Sequence, residues 1–113
     1  MIQIFHNPRC SKSRQGLAVL ENAKATFEVI KYLDTPPSKA ELAAIIEKIG
    51  IKPIALVRTS EAIWKENFKG KELSDNAIIE AMVAYPKLIE RPIVINGDKA
   101  VIGRPAEMIN DIV

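Results

Sequence analysis

The chain has 113 residues, the size of one domain, which leaves no room for a second independent core. Hydrophobic residues at 48% and charged residues at 27% exclude extended disorder, and no run approaches the roughly 18 apolar residues a spanning helix needs. A net charge of +2 without a basic run excludes a nucleic-acid footprint, and one cysteine beside one histidine excludes an internal disulfide and a structural zinc site.

The opening segment MIQIFHNPRC has no basic region followed by an apolar stretch, so a cytoplasmic protein is expected, off the membrane and holding no metal. Met1 to Phe5 is a short apolar run stopped by His6-Asn7-Pro8, the pattern of a buried strand ending in a turn. From Ser11 the pattern becomes a helical stripe of Leu17, Leu20 and Ala23, with Ser11 or Ser13 as the expected cap. Gly16 inside this helix marks the close approach of another backbone. Thr26 to Tyr32 is β-branched and aromatic, a second strand, which makes the first thirty or so residues a βαβ unit with parallel strands.

Asp34-Thr35-Pro36-Pro37 breaks the chain, and Ser38-Lys39-Ala40-Glu41 has the spacing of a capping box ahead of Leu42, Ile45, Ile46 and Ile49. Gly50 closes that helix, Pro53 opens a short one through Val57, and Ser74 caps another carrying Ile78, Met82 and Tyr85. Trp64 and Phe68 lie four apart with Ile63 on the same face, which predicts packing rather than a binding platform. Strands return at Pro92-Ile93-Val94-Ile95, turn at Asn96-Gly97 in the manner of a type I′ hairpin, and pair back through Ala100 to Ile102. Pro105 is placed to be the first residue of a last helix.

This order predicts an α/β fold: a thioredoxin/glutaredoxin-like mixed four-stranded sheet, with a helical insertion at about 35–88 between its βαβ and ββα halves, all in a single domain over 1–113. In folds of this type a cis-proline precedes the strand facing the active-site helix. Arg91-Pro92 stands at that place, so a cis peptide is expected at Pro92.

Cys10 lies where the unpaired backbone N–H groups of a helix start converge, which favours thiolate. A free thiol of pKa about 8.5 is roughly 3% ionised at pH 7, and lowering it to about 6.5 raises that to roughly three quarters. Arg9, Lys12, Arg14 and His6 add positive charge nearby. Ser13 stands where a thioredoxin carries its second cysteine, so a disulfide formed at Cys10 needs a thiol from outside to release it. His6 either holds the thiolate or hydrogen-bonds the loop. Arg58, Arg91 and Arg104 are solvated surface cations or ligands for a tetrahedral oxyanion, and spacing leaves both open.

The run His6-Asn7-Pro8-Arg9-Cys10-Ser11-Lys12-Ser13-Arg14 resembles the H-N-P-x-C-x-x-S-R signature of the glutaredoxin-dependent arsenate reductases. Tyr32-Leu33-Asp34-Thr35-Pro36-Pro37, Leu56-Val57-Arg58, Glu90-Arg91-Pro92-Ile93-Val94 and Gly103-Arg104-Pro105 resemble later segments of that family in the same order. Gly16 stands where members usually carry threonine, and Ser11-Lys12 where the best-known ones carry Gly-Thr. The resemblance implies that Cys10 attacks arsenate, or a similar oxyanion, to form a covalent adduct held by Arg58, Arg91 and Arg104. His6 would tune the thiolate and Ser13 would hydrogen-bond it. It also implies glutathione as co-substrate with no bound cofactor, and glutaredoxin as the partner that restores the thiol. Two other readings use the same residues: a Spx-like protein-binding regulator, which typically has C-x-x-C instead, and a glutathione-dependent thiol/disulfide reductase, which needs Cys10 but not the arginines.

Overall fold

The computed structural model describes residues 1–113, which form two compact units, Met1–Thr35 with Arg91–Val113, and Pro36–Glu90. The first is built on strands β1 (Ile2–Phe5), β2 (Phe27–Ile30), β3 (Ile93–Asn96) and β4 (Lys99–Ile102), with helix α1 (Ser11–Asn22) between β1 and β2. The sheet order is β2-β1-β3-β4; β2 runs parallel to β1, and β3 is antiparallel to both β1 and β4. This is the thioredoxin-like mixed sheet that the sequence predicts.

Strand alternation sets the faces. Ile4 pairs with Val29 on one side and Val94 on the other, and Ile4, Leu20, Val94 and Ile109 make a fully buried cluster. Ile2, Leu17, Val19, Phe27, Val101 and Ile112 pack around it. The buried stripe of α1 is Ser13, Gly16 and Leu20, whereas Leu17 is half-buried and Ala23 exposed. Ring stacking joins Phe5 to Tyr32, centroids 6.0 Å apart.

Three local expectations change. The cap of α1 is Cys10, with no side-chain capping bond, so neither Ser11 nor Ser13 caps it. Asn96 pairs with Lys99, leaving Gly97-Asp98 as the hairpin loop; φ is +63° at Gly97 and not positive at Asp98, the glycine-first pattern of type II′ rather than I′. Pro105 caps the last segment, Ala106–Asp111, which is a 3-10 helix.

The second unit contains α2 (Lys39–Ile49), α3 (Ala62–Asn67) and α4 (Asp75–Ala84), with 3-10 turns at Pro53–Leu56 and Pro86–Leu88. Ser38 and Glu41 form the predicted capping box, Gly50 ends α2 at φ +80°, and Ser74 caps α4. The two 3-10 turns and α2 pack on α4, burying Leu42, Ile45, Ile46, Leu56, Ile78, Met82 and Leu88. Trp64, Phe68 and Tyr85 are in ring contact in sequence, at centroid distances of 5.3 and 6.1 Å. No helix is long and apolar enough to cross a membrane.

Candidate active site

The loop from β1 to α1 carries the site. His6 N–H extends the parallel pairing by donating to Ile30 O at 2.9 Å, and the chain then folds back around Pro8. Asn7 O accepts from Cys10 N at 3.0 Å, and Asn7 Oδ1 accepts from Arg9 N at 3.0 Å. Cys10 follows in extended conformation, and its carbonyl accepts the first helical bond from Arg14 N. The sulfur therefore sits at the helix start.

Behind the loop lies a buried polar group. Ser13 Oγ is 2.7 Å from His6 Nδ1 and accepts from Asn7 N at 2.9 Å, and all three residues are buried. Burial, helped by the charges of Lys31 and Arg14, pulls His6 below its ordinary 6.5 against the opposing effect of Ser13. It is neutral at pH 7. The imidazole is thus bonded to the first turn of α1, where it engages the Ser13 hydroxyl.

Burial raises the Cys10 thiol, but the backbone N–H of Ser13, the Arg91 guanidinium and the backbone N–H of Lys12 outweigh it and bring the pKa down to about 7. Arg104 Nη2 donates to Cys10 Sγ at 3.8 Å, and its Nε donates to Arg91 O at 2.8 Å. The cations at the sulfur thus come from the far end of the chain. Of the nearby ones expected to act, Arg9 is exposed, Arg14 donates Nη1 to Pro8 O at 2.9 Å, and Lys12 acts through its backbone. Arg91-Pro92 is cis as predicted, and Arg104-Pro105 is cis as well, so each arginine immediately precedes a cis-proline.

Arg58 belongs to the second unit. Its N–H donates to Leu88 O at 2.7 Å, and its guanidinium lies 3.5 Å from Glu90 and 3.7 Å from Glu61. The i,i+3 spacing of Arg58 and Glu61 is visible in the sequence; the Glu90 pairing is not. Asn7 and the fully buried Tyr32, whose side chain interacts with the Arg91 guanidinium, are further residues of the site region that spacing did not single out. No three His, Cys, Asp or Glu side chains cluster as metal ligands would.

The family model described as the ArsC family matches residues 5–112. The arsenate reductase of Neisseria meningitidis serogroup A is 43% identical over 113 residues, 98% of this chain and 97% of that protein. The Escherichia coli protein named uncharacterized protein YfgD is 45% identical over 114 residues, 99% of this chain and 96% of that one. The solved structure of the arsenate reductase from Vibrio cholerae superposes with a TM-score of 0.94 at 46% identity, covering 99% of this chain and 97% of that one.

Proposed function

The chain belongs to the ArsC family, and from that membership we propose that it reduces arsenate to arsenite with Cys10 as nucleophile. The observation that carries this reading is a thiol brought to about 7 between the guanidinium groups of Arg91 and Arg104. With pKa about 7, about half of the thiol is ionised at pH 7, some fifteen times the fraction of a free cysteine. A less basic thiolate is about fivefold less nucleophilic over that range, so the net gain is about threefold. The larger contribution is positional: forked donors neutralise oxygens as the sulfur approaches arsenic.

Cys10 thiolate displaces an oxygen of arsenate as water, giving a sulfur–arsenic(V) bond. A glutathione thiolate then attacks the Cys10 sulfur, the electron pair of the S–As bond passes to arsenic, and arsenite leaves. Cys10 is left in a mixed disulfide, and with no second cysteine in the chain it is released by the thiolate of glutaredoxin. No bound cofactor is needed, and the reduced thiol pool required is that of the cytoplasm. Arg91 and Arg104 hold the oxyanion. Arg58 enters the set through the resemblance of Leu56-Val57-Arg58, and His6 and Ser13 act as positioning residues behind the loop.

The test is arsenate-dependent NADPH oxidation, coupled through glutathione, glutaredoxin and glutathione reductase. Wild type should turn over and Cys10→Ser should not. Arg104→Ala should lose most arsenate turnover while Cys10 still alkylates. A wild type with an alkylatable Cys10 and no arsenate-dependent oxidation would refute the proposal.

A further inference from the structure

Asn7 is almost fully buried, at 8% exposure, although its type is usually found at the surface. It makes three hydrogen bonds that diverge. Its N–H reaches Ser13 Oγ at 2.9 Å, in the first turn of α1. Its carbonyl takes the N–H of Cys10 at 3.0 Å, fixing the backbone of the nucleophile itself. Its side-chain Oδ1 takes the N–H of Arg9 at 3.0 Å, closing the turn around Pro8. The first two bonds use backbone atoms that every residue has. The third needs a short side chain with an acceptor oxygen two residues before the donor, which is the geometry of an Asx turn.

From this arrangement we propose that Asn7 is a positioning residue for Cys10: its side chain sets the turn that presents the Cys10 sulfur to the backbone N–H groups of Ser13 and Lys12. Losing Oδ1 leaves the Arg9 N–H without its partner and frees the segment between Asn7 and Cys10 to turn away from the helix axis. The sulfur then loses donors that favour its charged form. This deepens the reductase reading, on which it rests for its biological purpose, but its test uses no arsenate.

The measurement is the rate of Cys10 alkylation by iodoacetamide from pH 5.5 to 10 in wild type, Asn7→Ala and Asn7→Ser. The serine hydroxyl is a weaker acceptor for the same N–H and adds no charge beside the thiolate. The midpoint should rise from wild type to Asn7→Ser to Asn7→Ala, and alkylation at pH 7 should fall in the alanine variant, by up to about threefold if the thiol returns to its free value. The limiting rate at high pH, where every sulfur is ionised, should rise with the midpoint, by up to about fivefold, because the more basic thiolate is the better nucleophile; a general loosening of the fold would not couple the two. A folded Asn7→Ala protein with the wild-type midpoint overturns the proposal. If Asn7→Ala does not fold, the Asn7→Ser midpoint decides: above wild type supports the proposal, equal to it overturns it. A chain that reduces no arsenate would still return this answer, so the two readings fail separately.

Discussion

The ring of Pro92 occupies the space that a side chain on Gly16 would need: its Cγ lies 2.6 Å from the point where a Cβ would stand. Ile109 closes the same space at 3.1 Å, and the ring is equally tight on Gly103, at 2.9 Å. A five-membered ring has little freedom to retreat, so Gly16→Ala should overpack the contact by about 1–3 kcal/mol. The better helix propensity of alanine returns about 1 kcal/mol. A net loss of up to about 2 kcal/mol is expected in denaturant unfolding, and an alanine variant about 1 kcal/mol more stable than wild type would show that the ring moves freely.

Cys10 alkylation should show a midpoint near pH 7. Arg91→Ala should move it up toward about 8.5, the value of a free thiol. Because the folded-state pKa is depressed, the thiolate contributes stability that is complete above about 8.5 and is lost as pH falls through about 7. Under reducing conditions wild type should therefore gain stability across that window relative to Cys10→Ser. Parallel stability curves would contradict the shift.

His6 predicts a second decline in the same direction, at lower pH. Its folded pKa lies below the ordinary 6.5, so as pH falls the unfolded chain takes up the proton first. Stability is complete above 6.5 and declines as pH falls through 6.5 toward the folded value. In His6→Ala this decline should flatten. At pH 7.5 the same variant should lose about 1–3 kcal/mol, because the buried Ser13 hydroxyl loses a partner. An unchanged acid slope, measured by urea unfolding at several pH values, would mean the imidazole takes up its proton as readily in the fold as in the unfolded chain.

Ser38 offers a control far from the chemistry in sequence. Its hydroxyl accepts from Glu41 N at 3.1 Å, and Glu41 Oε1 accepts from Ser38 N at 3.2 Å. Ser38→Ala should cost about 1 kcal/mol with no change in the alkylation profile of Cys10. A shifted profile would point to coupling that the cap itself does not explain.

Local signals carried much of the fold. The change from strand to helical pattern around Cys10 and the capping box at Ser38 follow from residues adjacent in sequence, and the cis peptide at Pro92 from its place in the predicted fold. The departures arise where a distant partner decides. Ser13 has the chemistry of a cap, but His6 and the Asn7 N–H claim its hydroxyl. Gly16 does mark a close approach, by a proline ring rather than a backbone. The hairpin slips by one residue because Asn96 continues the β3–β4 pairing and leaves the positive-φ position to Gly97. At the site, Arg91 and Arg104 were candidates beside the cations adjacent to Cys10, and these two, on either side of the β3–β4 hairpin, are the ones at the sulfur. Only strand pairing brings them there.

That pairing also sets when the thiol acquires its character. Cys10 and Arg104 are 94 positions apart, and β1 meets β3 only after the whole 36–90 segment has been made. Such long-range pairing is slow, since the entropy of closing a large loop must be met before the contacts form. At about 5–20 residues per second, Cys10 leaves the ribosome seconds before its guanidinium partners exist. Until β3 and β4 join the sheet the thiol lacks both guanidinium groups, and a chain interrupted before Arg91 never acquires them. Folding order thus withholds the guanidinium half of the thiol's surroundings from the nascent protein.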